Sequence, residues 1–188
     1  MNGSQEDWNL PGLTLVVGGA RSGKSRLAER LVLGTGRRRH YIATADAWDD
    51  EMRARIAAHQ VARGADWVTH EAPSEIGRVL ATVPAGDVVL VDCASLWLTN
   101  VVLAGSDVGQ ETQTLLAAVA TCAAPVVVVS NEVGWGIVPD NALARGFRDH
   151  QGLLNQQLAR QAGLVLGVMA GLPMVLKGAL PPGFHQGS

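Results

Sequence analysis

Short apolar runs rich in Val, Leu and Ile alternate along the chain with segments in which apolar residues recur every three to four positions. The first pattern is typical of strands buried on both faces, and the second is typical of amphipathic helices. We predict strands at residues 13–17, 41–44, 67–69, 88–92, 126–129, 164–169 and 174–176. We predict helices at residues 24–32, 49–63, 74–81 with Ser74 as its cap, 111–122, and 142–162, the last continuous or broken near Gly152. Strands and helices that alternate over short connections indicate an α/β fold with a mostly parallel sheet.

The domain organisation follows from length and composition. The chain has 188 residues, of which 47% are hydrophobic, and this is enough to form one packed core without disulfides or metals. It shows neither an internal repeat nor a linker-like segment. We therefore expect a single domain at residues 13–178, preceded by a flexible extension at 1–12 and followed by a loose Gly/Pro-rich tail at 179–188.

The charge pattern excludes several classes of partner. A net charge of −2, from 15 basic and 17 acidic residues, favours neither nucleic acid nor an anionic membrane. We interpret the short basic cluster at residues 37–40 as a solvated loop. Cys93 and Cys122 lie in apolar runs without metal-ligand spacing, as expected in a reducing compartment. With no signal-peptide pattern at the N-terminus and no apolar run of about 20 residues, we expect a cytoplasmic protein without membrane insertion.

A phosphate-binding motif follows the first predicted strand. The eight residues match GxxxxGK[ST] and are Gly18, Gly19, Ala20, Arg21, Ser22, Gly23, Lys24 and Ser25. The preceding strand and the following helix provide the structural context that this motif requires. Backbone N–H groups and the helix N-terminus would bind phosphate oxygens, and Lys24 would reach the β- and γ-phosphates. The alternative is a glycine-rich turn that matches by chance.

A magnesium site is predicted beside this loop. The apolar strand at residues 88–92 ends in Asp92, and a phosphate loop needs such an acid near the magnesium shell. The Ser25 hydroxyl would supply the second protein ligand. The alternative is that Asp92 caps an ordinary turn.

The predicted helix at residues 49–63 carries an unusual histidine. Arg55 and Arg63 each lie four positions from His59 and therefore flank it on the helix surface. Two guanidinium groups would keep the imidazole neutral and nucleophilic at pH 7, and could also bind a phosphate that it attacks. The helix alone leaves open the alternative of a histidine at the edge of the core among solvated arginines.

Together these residues resemble one family, the bifunctional adenosylcobinamide kinases/adenosylcobinamide-phosphate guanylyltransferases. The resemblance extends from about residue 13 to residue 177 in one order, and the block from Asn131 to Asn155 is its most specific part. The matching segments are the phosphate loop and residues 41–45, 50–52, 55–56, 59, 130–145, 147–149, 155–156 and 170–173.

The resemblance implies a P-loop NTPase domain with a RecA-like sheet and two reactions of cobalamin synthesis. A nucleoside triphosphate would phosphorylate adenosylcobinamide, and GMP from GTP would then pass through His59 to adenosylcobinamide phosphate, giving adenosylcobinamide-GDP. His59 and Lys24 would be catalytic, with Mg²⁺ as cofactor, GTP and ATP as substrates, and a homo-oligomer as the assembly, for which the resemblance suggests a trimer. The implied nucleotide contacts are Gly18, Gly19, Ala20, Arg21, Ser22, Gly23, Lys24, Ser25, Arg26, Thr44, Ala45, Asp46, Gln60, Val61, Ala62, Arg63, Glu71 and Asp92.

Two alternative functions and one question about a loop remain at this point. A general P-loop kinase or GTPase would use the loop and Asp92 but leave His59 incidental, and a nucleotide-gated regulator would lack chemistry of its own. The loop around Trp135, between Gly134 and Gly136, belongs either to a corrinoid or subunit surface or to a turn with a packed tryptophan.

Overall fold

A computed structural model describes residues 8–45 and 66–184. In these ranges the strands are β1 (Leu13–Gly18), β2 (Arg39–Ala43), β3 (Trp67–Glu71), β4 (Val88–Asp92), β5 (Val126–Asn131), β6 (Leu164–Met169) and β7 (Leu172–Lys177). The helices in the same ranges are α1 (Lys24–Leu33), α2 (Ile76–Leu80), α3 (Ala94–Leu103), α4 (Val108–Thr121) and α5 (Ala142–Gln161). None of these helices is long and apolar enough to cross a bilayer.

The strands form one seven-stranded sheet in the order β3-β2-β4-β5-β1-β6-β7. The first six strands run parallel, and β7 pairs antiparallel with β6 at the edge. The predicted α/β fold with a mostly parallel sheet is therefore confirmed. Strand β1 lies inside the sheet between β5 and β6, so the loop that follows it starts from a rigid position.

Helices cover both faces of the sheet. Leu15 and Val91 belong to a core cluster with residues of α2, α3, α4 and α5, whereas Val16 and Leu90 belong to a second cluster with residues of α1. Burial on both faces explains why the strands are nearly continuous apolar runs rather than alternating ones. It also means that the position of a residue along a strand determines which helices its side chain faces.

Several element boundaries differ from those predicted. No element was predicted at α3, whose sequence is apolar on all sides and so lacks an amphipathic period. Ser74 is not a cap, because α2 begins two residues later without a side-chain cap. Helix α4 begins earlier than predicted, where Asp107 accepts a hydrogen bond from the Gln110 N–H, and α5 runs unbroken through Gly152.

The prediction of a solvated loop at residues 37–40 was wrong for its second half. Arg39 and His40 belong to β2, and His40 is buried. The His40 ring contacts Asp87 Oδ2 at 2.8 Å and His70 Nε2 at 2.9 Å, so its polar atoms are satisfied inside the protein. Burial, and then the neighbouring His40, lower the pKa of His70.

The described ends of the chain contact the domain. The Trp8 N–H donates to the Gly34 carbonyl over 2.8 Å, and the Trp8 ring lies 5.3 Å from that of Phe184. Leu10 is buried in the α1 cluster, and Phe184 packs against that cluster. The predicted helix at residues 49–63 lies outside the described residues.

Candidate functional site

The carboxyl ends of the parallel strands meet at one edge of the sheet, which is where open α/β sheets bind ligands. Gly18 lies opposite Asn131 in the β1–β5 pair, and Ala43 lies opposite both Glu71 and Asp92. This register brings the phosphate loop and Asp92 to the same edge, with only β5 between their strands.

The shape of the phosphate loop depends on close contacts around Gly18. A Cβ atom at Gly18 would lie 2.5 Å from the Val168 carbonyl oxygen and 2.7 Å from Ser22 Oγ, so any side chain there would collide. On the other side of the loop, the Ser22 carbonyl accepts a hydrogen bond of 2.9 Å from the Gly171 N–H. Gly171 belongs to the turn between β6 and β7, so this hairpin supports the loop.

Helix α1 begins without a side-chain cap. Its N-cap residue is Gly23, whose φ of 96° lies in the left-handed region. The first intrahelical bond at this end runs from the Leu27 N–H to the Gly23 carbonyl, so helix geometry leaves the earlier N–H groups without intrahelical partners. These donors and the positive end of the helix dipole form an anion-binding site of the kind that nucleotide phosphates occupy.

Lys24 lies across the loop rather than extending into solvent. Its Nζ donates to the Gly19 carbonyl over 3.0 Å, and only 9% of the residue is exposed. The ammonium group is therefore held beside the loop backbone, where the motif predicts the phosphates. A fixed positive charge that is partly desolvated interacts more strongly with phosphate than a fully solvated charge does.

The predicted magnesium ligands have suitable chemistry and a suitable orientation. Asp92 is half-buried and accepts a hydrogen bond of 3.2 Å from the Tyr41 hydroxyl. Since side chains alternate along a strand and Leu90 faces α1, Asp92 also faces α1, whose first turn carries the half-buried Ser25. A carboxylate and a hydroxyl are oxygen ligands of the kind Mg²⁺ prefers, so these two residues fit the ion.

Cys93 follows Asp92 directly but is unsuited to nucleophilic chemistry. Burial, and then the Asp92 charge, raise the pKa of the Cys93 thiol to about 11. The thiol therefore stays protonated at neutral pH and acts as part of the core.

The other predicted contacts fall into three groups. Thr44 is fully buried and its hydroxyl is used internally, donating to the Cys93 carbonyl and accepting from the Cys93 N–H, each over 2.8 Å. Ala20, Arg21, Arg26 and Glu71 are exposed at or near the edge, and Ala45 is half-buried. Predicted residues outside the described ranges are Asp46, His59, Gln60, Val61, Ala62 and Arg63.

The structure brings further residues to the site that were not predicted. Tyr41 contacts Asp92, and Asn131 ends the strand between Asp92 and the phosphate loop. The Glu132 N–H donates to the Gly18 carbonyl over 3.0 Å. A polar residue that ends an apolar strand was a usable signal for Asn131, whereas nothing in the local pattern indicates the role of Tyr41.

The loop after β5 exposes large apolar side chains. Trp135 is 77% exposed and Ile137 is 97% exposed. The alternative of a turn with a packed tryptophan therefore does not hold within one chain. Exposed apolar residues beside a site are typical of a surface that meets a ligand or another protein.

Comparison with known families and relatives gives one consistent result. The model of a family described as cobinamide kinase/cobinamide phosphate guanyltransferase matches residues 14–176. The bifunctional adenosylcobalamin biosynthesis protein CobP of Pseudomonas aeruginosa is 45% identical over 167 residues, covering 87% of this chain and 96% of that protein. The bifunctional adenosylcobalamin biosynthesis protein CobU of Escherichia coli is 41% identical over 181 residues, covering 88% of this chain and 99% of that protein.

Solved structures with a similar fold have low sequence identity. The flagellar accessory protein FlaH from Methanocaldococcus jannaschii is 15% identical with a TM-score of 0.50, covering 94% of this chain and 83% of that one. A protein from Pyrococcus horikoshii is 11% identical with a TM-score of 0.52, covering 92% and 90% respectively. With the sheet order, these likenesses confirm the RecA-like P-loop fold.

Proposed function

The chain belongs to the family of cobinamide kinases/cobinamide phosphate guanyltransferases, and from this premise we propose that it carries out both reactions. In the first reaction a nucleoside triphosphate, GTP or ATP, phosphorylates adenosylcobinamide. In the second, GMP from GTP passes to adenosylcobinamide phosphate and gives adenosylcobinamide-GDP. The observation that supports this most strongly is the uncapped, glycine-shaped loop at the N-terminus of α1, within a chain that matches the bifunctional relatives over most of its length.

In the kinase reaction, the phosphate loop stabilises the negative charge of the phosphate groups. The substrate hydroxyl oxygen attacks the γ-phosphorus, the bond to the β–γ bridging oxygen breaks, and the nucleoside diphosphate leaves while the hydroxyl proton is released. Charge on the transferred group is stabilised by Lys24 and by the N–H groups of the first turn of α1. Because Lys24 is already held beside the loop, little reorganisation is needed when the nucleotide binds.

The second reaction proceeds in two displacements at the α-phosphorus. His59 attacks and pyrophosphate leaves, so that GMP is held through a P–N bond. A phosphate oxygen of adenosylcobinamide phosphate then attacks the same phosphorus and releases the imidazole. Covalent catalysis divides one difficult transfer into two easier ones.

Ser25 and Asp92 are the residues that would hold Mg²⁺, which when bound supplies positive charge to the phosphate oxygens. Tyr41 keeps the Asp92 carboxylate oriented toward this position through its hydroxyl. Among the described nucleotide-binding candidates, Glu71 is exposed at the end of β3. There it can contact a part of the nucleotide other than its phosphates.

A homo-oligomer, with a trimer as the form that the family resemblance suggests, is also part of the proposal. Edge strand β7 exposes Leu172 and Leu176, and the loop after β5 exposes Trp135. An exposed apolar edge strand promotes association with another chain. Light scattering of the purified protein tests this, and a monomer at micromolar concentration would contradict it.

The test of the covalent step is intact-mass spectrometry after incubation with GTP and Mg²⁺. We expect a GMP adduct on the wild type that is labile in acid and stable in alkali, as a phosphoramidate is. The variant His59→Ala should form no adduct, because it lacks the attacking nitrogen. His150→Ala is the matched control, since His150 is an exposed histidine on α5 and should not affect labelling.

The outcomes separate the alternatives. An adduct that persists in His59→Ala would place the nucleophile elsewhere. A wild type that releases nucleoside diphosphate with adenosylcobinamide but forms neither the adduct nor adenosylcobinamide-GDP would be a kinase alone, and this would overturn the proposal of a bifunctional enzyme. Formation of adenosylcobinamide-GDP without the adduct would overturn the covalent step only.

A further inference from the structure

Helix α3 carries two side chains that bond to the backbone beyond the ends of neighbouring strands. Trp97 and Asn100 lie three positions apart and therefore share one face of the helix. Trp97 is buried in the core cluster on the side of the sheet opposite to α1, so this face of α3 packs against the sheet. Both side chains donate to backbone carbonyls rather than to other side chains.

The Asn100 carboxamide joins the ends of β2 and β3. Its Nδ2 donates to the Thr44 carbonyl, directly after β2, and to the Pro73 carbonyl, two residues after β3, each over 2.9 Å. Both partners are carbonyls, so only the NH₂ end of the amide can bind them, and this fixes its orientation. The Trp97 indole N–H donates to the next carbonyl along the chain, that of Ser74, over 3.1 Å.

These bonds begin where the pairing of β2 with β3 ends. The last bond between the two backbones, of 3.0 Å, runs from the Ala72 N–H to the Ala43 carbonyl. The chain then reaches Pro73, which has no N–H with which to continue the ladder. The Asn100 amide therefore holds the two strand ends together in place of further backbone pairing.

Asn100 also orients the peptide unit that links Thr44 to Ala45. This peptide is trans, and in a trans peptide the C=O and the N–H point in opposite directions. Because the Thr44 carbonyl points to Asn100, the Ala45 N–H points away from α3. That N–H donates to none of the residues that the structure describes, and Ala45 is half-buried rather than enclosed. It is a hydrogen-bond donor whose direction is set by α3.

The two strand ends offer complementary polar groups in a place that the phosphates do not occupy. Beside the Ala45 N–H, Glu71 provides an exposed carboxylate at the end of β3. In the sheet β2 lies three strands from β1, roughly 14 Å at the usual spacing of neighbouring strands. Phosphates bound by the loop after β1 therefore leave these groups to the ribose and base, which carry both acceptors and donors.

We propose that Asn100 is a positioning residue for the nucleoside part of the nucleotide, an inference that rests on the function proposed above. Its carboxamide holds the two strand ends so that the Ala45 N–H and the Glu71 carboxylate meet the ribose and base in one fixed arrangement. The Ala45 side chain is a methyl group, so a polar contact from Ala45 depends on its backbone orientation. Groups that are already in place lose less freedom when the ligand binds, which raises affinity.

The test compares two ligands, GDP and inorganic triphosphate, by calorimetry with Mg²⁺ at a temperature at which every variant is folded. Asn100→Asp keeps the side-chain size but sets a carboxylate against two carbonyls. It should weaken GDP binding about tenfold, the upper range for lost hydrogen bonds between neutral groups, while triphosphate binding changes less than about twofold. Asn100→Ala should weaken GDP binding about fivefold, because water can reach the two carbonyls.

Thr99→Ala is the matched control on the same helix. Thr99 is half-buried like Asn100, but its hydroxyl donates to the Ser95 carbonyl within α3. This variant should bind both ligands as the wild type does. Trp97→Phe keeps a buried ring and removes only the donor to Ser74, so it should weaken GDP selectively by about threefold. It decides the question if the Asn100 variants do not fold.

Equal weakening of GDP and inorganic triphosphate in these variants would mean a general loosening of the protein, and no weakening would mean that the strand ends do not bind the nucleoside. Either result would overturn this inference. Lys24→Ala separates both from a failure of the proposed function. If Lys24→Ala loses both ligands while the Asn100 variants do not discriminate, only the positioning role fails. If Lys24→Ala binds both ligands normally, the phosphate site itself is wrong.

Discussion

Two helices of this protein begin in opposite ways, although their first turns have the same unsatisfied donors. At the start of α5, Asn141 has an extended backbone and its side chain accepts a hydrogen bond of 2.8 Å from the Ala144 N–H. At the start of α1, Gly23 has no side chain to offer and a φ of 96°. The N-terminus of α5 is thus capped by the Asn141 side chain, whereas no side chain caps the N–H groups in the first turn of α1.

The difference arises because the packing of the phosphate loop leaves no room for a capping side chain at the N-terminus of α1. A Cβ at Gly23 would lie 3.2 Å from the Gly171 Cα, in addition to the strain of a positive φ, so a capping side chain does not fit there. A helix N-terminus that local structure leaves uncapped gains its missing partner from an anion. The same turn carries Lys24 and Ser25. The residues proposed to bind the phosphates and Mg²⁺ therefore lie at a helix N-terminus that has no capping side chain.

The largest effect should come from removing the charge at the open helix end. Lys24→Ala should lower the rate of phosphoryl transfer about a hundredfold or more, the typical loss for one preorganised donor at a transition state. Lys177→Ala is the matched control, because Lys177 is the only other lysine and donates to the Ala159 and Arg160 carbonyls near the C-terminus of α5. Kinase assays with saturating nucleotide measure both, and a Lys24→Ala enzyme within threefold of wild type would contradict the role.

The next effect should come from the shape of the loop. Gly18→Ala should lower the free energy of unfolding by about 1–3 kcal/mol through overpacking, and should weaken nucleotide binding because the loop backbone must shift. Gly19→Ala is the matched control in the same loop, since a Cβ there meets nothing within 4 Å. Chemical denaturation and nucleotide titration measure the two variants, and equal stability of both would show that the contacts at Gly18 do not constrain the loop.

The smallest effect should come from the closed helix end. Asn141→Ala should lower the free energy of unfolding by about 1 kcal/mol, as the loss of an N-cap usually does, and leave nucleotide affinity unchanged. His150→Ala is a matched control on the same helix, because His150 is exposed and lies beyond the first turn. Reduced nucleotide affinity in Asn141→Ala would mean that the two helix ends are not independent.

Local sequence patterns predicted the part of the site that is built from neighbouring residues of one motif or from the end of one strand. Gly18, Gly23 and Lys24 lie in one eight-residue motif that follows a buried strand, and Asp92 ends another strand, so the loop and the mostly parallel sheet were predictable from the residues. The RecA-like arrangement of the sheet was an expectation from the family resemblance. Helix α3 was not predictable, because it is apolar on every side and has no period to detect.

The remaining differences come from contacts between distant residues. His40 is in a basic cluster by sequence, but Asp87, 47 positions away, contacts its ring and allows it to be buried. Likewise, the Asn131 N–H donates to Ser95 of α3 and the Asn131 carbonyl accepts from Asn155 of α5, two residues that lie far apart in the chain. A local pattern contains no information about such pairs, so they require the fold.

A crystal structure of the protein with Mg²⁺ and the β,γ-imido analogue of GTP would test the central claim most directly. We predict that its phosphates lie at the N-terminus of α1, within hydrogen-bond distance of the loop N–H groups and Lys24 Nζ, with the metal between Ser25 and Asp92. A nucleotide bound elsewhere, with the first turn of α1 still open to solvent, would contradict the account.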